Sequence, residues 1–299
     1  MAAVVPDVKA SLGENAEISR VLQPLEHFRK CIRKNMRIDG RPFLSSRELK
    51  AGFNEVSTAH GSATVNIGKT CVVAGIKLEL SDPDINEPTH GRVDIDVQLR
   101  PLCSQRHGFS AYSEEALAMG EFSRKTILSS GAVDLADLCI EEGKTAWAIK
   151  VDAICLDDDG SVTDCVILAI ICALRGLQLP ALERLEATNE LRMVNVSDDL
   201  SEKEIKYPAK ALPLYGIPVP MSFGLFDGAV LLADPTSEEE KLIPTTFVTV
   251  GMLNAEVDKI SLYKQGGGTV SLRVLKDAFE ILKRRIRLLG ALLANSDPS

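Results

Sequence analysis

Apolar and polar side chains recur along this chain with two different periods, one typical of strands and the other of helices. Residues 92–99 alternate polar and apolar side chains, as a half-buried strand does. Near the carboxyl end, residues 271–293 carry apolar side chains at helical spacing, at Leu272, Leu275, Phe279, Leu282, Ile286 and Leu289. Strand and helix periods in one chain predict a mixed fold of the α/β (α+β) class.

The first half of the chain is predicted to contain three helices and five strands. The helices are expected at residues 20–36, 112–130 and 163–175, and the strands at residues 47–57, 61–67, 70–80, 92–99 and 144–156. Ser113 is the candidate N-cap of the second helix, and Gly176 is the candidate C-cap of the third. The third helix is apolar on almost every side, which predicts that it is buried.

The second half is also predicted to combine strands with a helix, in this case four strands and one long helix. Strands are expected at residues 218–225, 229–233, 245–250 and 260–263, and the helix at residues 271–293. The chain is therefore predicted to have four parts, which are a flexible extension at 1–19, a first half at 20–180, a variable and charged connector at 181–206, and a second half at 207–299.

Charge and composition narrow the classes of function. A formal net charge of −8 argues against a free-standing nucleic-acid binder, which usually has a strongly basic domain. It suits a subunit that shares an RNA path with more basic partners. The sequence has no run of eighteen apolar residues and no secretory signal pattern, so no membrane partner is expected. The seven cysteines form no CxxC pair, which predicts reduced core thiols in an intracellular protein.

Several separated motifs resemble those of one known family. Residues 37–41 have the form R-x-D-G-R, residues 61–65 are GSATV, and residues 222–240 are SFGLFDGAVLLADPTSEEE. A strand, an acidic turn and a buried helix are expected over residues 151–176. In this order the motifs resemble the RNase PH family. The resemblance implies an RNase PH-like fold, with two βαβ-type halves similar in topology to domain 2 of ribosomal protein S5.

Two segments are similar to a particular branch of that family. Residues 155–164 fit C-L-D-x-D-G-x-x-x-D and residues 231–240 fit L-L-x-D-P-T-x-E-E-E, as in the non-catalytic RNase PH-like subunits of the eukaryotic RNA exosome. The resemblance implies a six-membered ring of such subunits around a channel for single-stranded RNA, with S1/KH cap subunits and associated ribonucleases. It further implies rRNA maturation and mRNA turnover in the nucleus, including the nucleolus, and in the cytoplasm, with no cofactor.

The acidic turn also shows where the chain departs from active members of the family. Their turn resembles A-D-G-G-T-R-T-A, whose Thr and Arg bind inorganic phosphate, whereas Val162 and Thr163 stand at those positions here. Their pattern D-L-x-Y-x-E-D supplies two carboxylates, and alignment places Ala233 at the first and Glu239 at the second. Phosphorolysis needs a held phosphate and a stabilised leaving oxygen. The departures predict a chain with no catalytic residues and no phosphorolytic activity of its own.

Other candidate sites have a structural interpretation beside the functional one. Arg100 and Arg106 flank an irregular segment that, by the resemblance, faces the channel, so they are either RNA-path residues or ordinary surface arginines. The aspartates at 157–159 are interpreted as a solvated turn rather than a metal site. Asp234 and the glutamates at 238–240 are interpreted as a solvated acidic loop.

The remaining candidates lie near the two ends of the chain. The glycines at 266–268 are interpreted as a flexible connector rather than a phosphate loop, because no Gly-Lys-Ser/Thr follows. The cations of the helix at 20–36 are interpreted as a solvated face or a subunit contact. The four histidines have no ligand spacing, so no metal is expected.

Three functional hypotheses remain open on these features. The leading one is a structural, non-catalytic ring subunit of an RNA-degrading complex. The alternative is a phosphate-dependent 3′-to-5′ exoribonuclease, active with a partner subunit that supplies the missing groups. A small-molecule kinase of related topology would need a glycine-rich nucleotide loop early in the chain, and the sequence has none.

Overall fold

Two β-sheets with a buried helix between them form the framework of the protein in a computed structural model. The structure describes residues 21–104, 113–184, 191–193, 205–253, 260–264 and 266–295. Its mixture of strands and helices confirms the α/β class that the two sequence periods predict.

The first sheet contains most of the strands of the first half. Its strands are β1 (Leu49–Phe53), β2 (Gly61–Ile67), β3 (Thr70–Ser81), β4 (Arg92–Leu99), β5 (Cys139–Glu141) and β6 (Thr145–Asp157), in the order β1-β2-β3-β6-β4, with β5 beside β6. All paired strands are antiparallel except β4 and β6, which are parallel. β1 is shorter than the predicted strand at 47–57, because Asn54 has a φ of 55° and ends the extended backbone.

Short strands join the two halves. β7 (Gln178–Leu179) pairs with β11 (Lys210–Ala211), and β8 (Leu182–Arg184) pairs with β9 (Leu191–Met193) and β10 (Ile205–Tyr207). Strands of two or three residues are too short to show an alternating period. The hydrophobic pattern therefore does not predict them.

The second sheet is antiparallel throughout. Its strands are β12 (Ile217–Phe226), β13 (Val230–Ala233), β14 (Thr245–Leu253) and β15 (Ile260–Tyr263), in the order β13-β12-β14-β15. The strands predicted for this half are therefore present. Asp227 and Gly228 have φ values of 47° and 70° in the turn between β12 and β13, and Ala229 donates its N–H to the Phe226 carbonyl oxygen, so these two residues are the central pair of a turn with the favoured twist.

The helices are α1 (Pro24–Arg33), α2 (Glu114–Ser130), α3 (Val162–Arg175), α4 (Ser237–Leu242) and α5 (Leu272–Asn295). α1 ends before the predicted limit at residue 36, because Asn35 adopts a left-handed φ of 55°. Ser113 caps α2 as predicted, since its hydroxyl accepts the N–H of Ala116 at 3.1 Å. Gly176 is the C-cap of α3 as predicted, with a φ of −84° that any residue adopts. α4 was not predicted, because six residues are too few to show a helical period.

α3 holds the two sheets together. It packs against β2 and β3 of the first sheet and against β12 of the second. Its side chains Ile167, Ile170 and Leu174 are fully buried and belong to one hydrophobic cluster that includes both sheets. Burial on all sides explains the nearly continuous apolar sequence of this helix, and truncation of such a side chain to alanine typically costs about 2–5 kcal/mol.

A smaller hydrophobic cluster attaches α1 to the second half. Phe28 of α1 lies edge-on to Phe226 of β12, with ring centroids 4.9 Å apart. Leu232 and Ile243 complete the buried part of this cluster. The amino-terminal helix is thus fixed to the β12–β13 hairpin although about two hundred residues separate them.

The cysteines are free thiols, four of them buried and three half-buried. Burial raises the pKa of Cys172 to about 11, so this thiol stays protonated and unreactive at neutral pH. In the described ranges, no helix is both long enough and apolar enough to cross a membrane.

Candidate functional site

Two turns, one from each half, lie against each other at the amino end of α3. We call residues 158–161 the acidic turn and residues 234–237 the proline loop. Ser161 Oγ donates a hydrogen bond to the carbonyl oxygen of Pro235 at 3.1 Å. Gly160 has a φ of +86°, and a Cβ added to it would lie 2.6 Å from that same oxygen. Only glycine therefore allows the two backbones to approach this closely.

Arg47 fastens both turns at once. Its guanidinium donates to the carbonyl oxygens of Asp159 at 2.7 Å and Gly160 at 3.0 Å. It also donates to both carboxylate oxygens of Asp234, at 2.7 and 3.0 Å. Thr70 adds a hydroxyl bond of 2.8 Å to the Gly160 carbonyl oxygen. The end of the first sheet thus fixes the position of a carboxylate in the second half.

Arg37 is a buried cation that holds the beginning of α4. It donates to Glu239 Oε1 at 3.0 Å, forms a second contact with Oε2 of the same carboxylate, and donates to the Ala233 carbonyl oxygen at 2.7 Å. Glu239 also accepts the Thr236 N–H at 3.0 Å and so completes a capping box. Both partners are almost fully buried, with 2% of Arg37 and none of Glu239 exposed.

Arg41 completes this group by contacting Asp39 at 2.6 Å and Asp234 at 3.2 Å. We call the arginines and the two buried carboxylates the arginine clasp, which comprises Arg37, Arg41, Arg47, Asp234 and Glu239. It attaches the R-x-D-G-R segment and the strand that follows to the second half.

A further buried carboxylate, that of Asp164, lies within α3. Asp164 accepts the N–H and the hydroxyl of Ser222 at 2.8 and 2.7 Å, and Arg285 of α5 lies 3.3 Å away. Burial raises the pKa of Asp164, although Arg285 and Ser222 oppose the shift. Burial also acts on Asp234, but the hydrogen bonds and charge of Arg47 outweigh it and hold the pKa of that carboxyl well below its ordinary value.

A cavity of about 210 Å³ opens at the amino end of α3, beside Ser161, Val162 and Thr163. Three carboxylates contribute to its lining, those of Glu115, Asp158 and Glu240. Among the described residues that line it there is no lysine or arginine. Glu240 Oε1 accepts the backbone N–H of Ser161 at 2.8 Å. The described lining residues therefore supply no cationic side chain to an anionic ligand.

The structure separates the four positions predicted as remnants of an active site. Val162, 9% exposed, and the half-buried Thr163 line the cavity. Ala233 and Glu239 do not line it, and Arg37 instead donates to the Ala233 carbonyl oxygen and to the Glu239 carboxylate. Arg100 is exposed and donates to Gln98 Oε1 at 2.7 Å.

The prediction for Arg106 lies outside the described residues. An RNA-path role for either arginine stays a prediction.

The prediction of a solvated acidic loop around Asp234 is wrong for two of its carboxylates. Asp234 and Glu239 are fully buried, because arginines from the other end of the chain surround them, whereas Glu238 is exposed. The aspartate turn is also only partly solvated, since Asp158 is 7% exposed. Within the part of the chain that the structure describes, no three potential metal-ligating side chains are grouped.

The glycine connector is more constrained than its sequence suggested. Gly267 has a φ of +77°, and a Cβ added there would lie 2.7 Å from the Pro244 carbonyl oxygen. The Gly268 N–H donates to Thr245 Oγ1 at 2.8 Å. These contacts fasten residues 266–268 to the start of β14.

Sequence reasoning missed the clasp itself. The R-x-D-G-R motif indicates the family and not a buried ion pair, and no local pattern gives Arg47 a role. A signal was nevertheless present, because three arginines occur within eleven residues and the only glutamate or aspartate between them is Asp39. Such a surplus of cations in a folded segment indicates carboxylate partners elsewhere in the chain.

Comparison with known proteins defines this arrangement as a fold of the RNase PH type. The model for domain 1 of the 3′ exoribonuclease family matches residues 45–180, and the model for domain 2 matches residues 216–284. The chain therefore belongs to the 3′ exoribonuclease family, which confirms the resemblance seen in its motifs.

Individual relatives match nearly the whole chain. Exosome complex component rrp43 of Schizosaccharomyces pombe is 32% identical, over 92% of this chain and 96% of that protein. Exosome complex component Rrp42 of Thermococcus kodakarensis is 30% identical, over 89% and 95% respectively. A solved structure described as the Archaeoglobus fulgidus exosome with RNA bound to the active site has a TM-score of 0.77 at 28% identity, over 93% of this chain and 98% of that one.

Proposed function

We propose that this protein is a non-catalytic subunit of an RNA exosome ring, which supports 3′-to-5′ RNA processing by forming interfaces and part of an RNA channel. The observation that carries the proposal is the cavity at the amino end of α3. It has three carboxylates in its lining and, among the described residues, neither lysine nor arginine. The similarity to exosome components of two organisms supports the ring.

Charge explains why this cavity does not support phosphorolysis. The reaction needs an inorganic phosphate held near the RNA end and a cation or acid that stabilises the leaving oxygen. Loss of one such preorganised group commonly raises a barrier by about 2.7–4 kcal/mol. In this chain Val162 and Thr163 replace the phosphate-binding pair, and Glu239, the remaining carboxylate of the family pattern, is neutralised by Arg37.

The partners follow from the same proposal. They are other RNase PH-like subunits in a six-membered ring, S1/KH cap subunits, associated ribonucleases and single-stranded RNA. We place the complex in the nucleus, including the nucleolus, and in the cytoplasm, with roles in rRNA maturation and mRNA turnover. The two halves at 20–180 and 207–299 would act as one unit in the ring, because α3 and the arginine clasp join them.

Purification and activity assays test the proposal together. A tagged chain expressed in its source organism is expected to co-purify with other RNase PH-like subunits. The purified chain, alone and in the complex, is then incubated with single-stranded RNA at zero and millimolar phosphate. We expect no phosphate-dependent release of nucleoside diphosphates from the chain alone. Such release, in a preparation without other subunits, would favour the exoribonuclease hypothesis instead.

A variant in the cavity distinguishes the contribution of this chain to RNA degradation from the contributions of its neighbours in the complex. Thr163→Val alters the cavity and leaves the exposed surface nearly unchanged. If the chain contributes no catalysis, complexes with the variant degrade RNA at the wild-type rate with and without phosphate. A selective loss of the phosphate-dependent component would show that this cavity takes part in the chemistry.

A further inference from the structure

Helix α5 concentrates cations in a chain that is acidic as a whole. It contains six lysines and arginines against two acidic residues, whereas the formal net charge of the chain is −8. Residues 283–287 read KRRIR, and basic segments of this length recur in nucleic-acid contacts. Of the four cations in this run only Arg285 is buried, and it pairs with Asp164 at 3.3 Å. The fold therefore accounts for one of these cations and leaves the others at the surface.

The exposed cations of α5 lie on one side of the helix. At 3.6 residues per turn and a rise of 1.5 Å, four of them fall within an arc of about 80° and along about 21 Å of the axis. We call these four the basic face, which comprises Arg273, Lys276, Arg284 and Arg287. Among the described residues, none of these four side chains has a hydrogen-bond or ion-pair partner. Their charges are thus available to a ligand.

The opposite side of α5 holds the basic face in place. Ala278, Leu282 and Leu289 are buried in the main hydrophobic cluster, and the helix packs on β12 and β14. The buried pair of Arg285 with Asp164 joins α5 to α3 as well. The four cations are therefore carried by a fixed backbone, so a ligand that binds along them has little backbone to order.

The chemistry of this surface favours a nucleic acid over a protein. From residue 273 to residue 287, every exposed side chain is charged. Protein interfaces have an apolar core from which charged residues are depleted, and this stretch offers no exposed apolar side chain for one. Interfaces with nucleic acids are polar and strongly positive. Cations spaced along a path suit the phosphates of a single strand, whose backbone contacts need no reading of the bases.

We propose that the basic face of α5 binds the phosphodiester backbone of single-stranded RNA. The inference rests on the proposed function and deepens it, since it names a surface of this chain that contacts the RNA. Glu280 lies on the same arc, between the pair Arg273 and Lys276 and the pair Arg284 and Arg287, and its side chain is exposed. Its carboxylate repels a phosphate bound beside it, so it limits the affinity of the face.

RNA binding by the purified full chain tests the role of the basic face. We would measure the dissociation constant of a labelled oligouridine by fluorescence anisotropy over a series of salt concentrations. The double variant Arg284→Gln with Arg287→Gln removes two phosphate contacts, so its log–log salt slope should be smaller by about 1.4, at about 0.7 for each contact. Arg284→Lys with Arg287→Lys keeps both charges and should keep the slope. Glu280→Gln should bind RNA about twofold more tightly than the wild type.

Lys50→Gln with Lys77→Gln is the matched control, because it removes the same net charge from two exposed lysines of the first sheet. It should leave the salt slope unchanged. The proposal fails if the folded double arginine variant keeps the wild-type slope, or if the control loses as much. It also fails if the arginine variant binds RNA normally and loses binding only to polyglutamate, since the face would then suit an acidic protein segment. Co-purification with other subunits is measured separately, so failure here is distinguishable from failure of the proposed function.

Discussion

The arginine clasp and the cavity at the amino end of α3 lie at the same two turns, and they differ in the cations that the described residues supply. In the clasp, Asp234 and Glu239 are fully buried and each meets an arginine within 3.0 Å. In the cavity, three carboxylates contribute to the lining and no lysine or arginine of the described residues does. The difference shows that the arginines of this region join the two halves, and that no described arginine lines the cavity.

Removal of a buried cation from the clasp is expected to have the largest effect. Arg37→Met leaves Glu239 buried without its charge partner, and breaking a buried pair in this way typically costs about 3–5 kcal/mol of unfolding free energy. Urea denaturation of the purified chain measures the loss. Arg29→Met is the matched control, since Arg29 pairs with Asp227 at the surface and also joins the amino-terminal segment to the second half.

The control is expected to lose much less stability, because exposed ion pairs contribute little. The double variant Arg37→Met with Glu239→Gln should lose less than the sum of the single losses, because the two residues share one interaction. Equal losses of unfolding free energy for Arg37→Met and Arg29→Met would show that the clasp contributes no more to stability than an exposed ion pair does.

The close approach of the two turns gives the next largest effect. Gly160→Ala places a Cβ 2.6 Å from the Pro235 carbonyl oxygen, in addition to forcing alanine into a left-handed conformation. The conformation alone costs about 1–2 kcal/mol. Gly228→Ala is the matched control, because Gly228 has a φ of +70° and a Cβ added there would have no atom within 4 Å. It therefore isolates the cost of the left-handed conformation. Chemical denaturation should show a greater loss for Gly160→Ala, and equal losses would mean that the turns move apart freely.

Local structure at this site was predictable from the sequence, and the long-range pairing was not. The strand, turn and helix around Val162 and Thr163 follow from periods and turn residues within a few positions of each other, and the structure places both residues at the cavity. The burial of Glu239 depends on Arg37, 202 positions away. No local pattern reveals which of three consecutive glutamates meets that arginine, and so Glu239 was interpreted as solvated.

The clasp should also govern how stability changes with pH. Because Arg47 holds the pKa of folded Asp234 below its ordinary value, the unfolded chain takes up a proton first as the pH falls through about 3.9. Stability due to Asp234 is therefore present above that pH and is lost below it. Asp164 acts in the opposite sense, since burial raises its pKa and the folded chain takes up that proton first.

Urea denaturation between pH 3 and pH 6 checks these signs. The wild type should lose stability on acidification, and Asp164→Asn, which removes the opposing group, should lose it more steeply. A shallower loss in Asp164→Asn would contradict the assignment of opposite shifts to the two carboxylates.

A change in the cavity is expected to affect stability much less than a change in the clasp. Thr163→Val replaces a half-buried side chain for which the described residues provide no hydrogen-bond partner, so the unfolding free energy should change by less than about 0.5 kcal/mol. Thr249→Val is the matched control, because its buried hydroxyl donates to the Met221 carbonyl oxygen at 3.2 Å. The control should cost about 0.5–1.5 kcal/mol in the same denaturation assay. A larger loss of unfolding free energy for Thr163→Val would show that the side chains around the cavity contribute to stability.

The smallest stability effect is expected at Arg100, where only a functional measurement is informative. Arg100 is exposed, directly follows β4 and donates to Gln98 of that strand. Arg100→Gln should therefore leave the unfolding free energy unchanged within about 0.5 kcal/mol. If its guanidinium contacts a phosphate of RNA, the variant complex should bind single-stranded RNA with a log–log salt slope reduced by about 0.7, the value for one lost contact. Arg92→Gln is the control, since Arg92 is held by Asp94 at the other end of β4. An unchanged slope for Arg100→Gln would remove Arg100 from the RNA path and leave it an ordinary surface arginine.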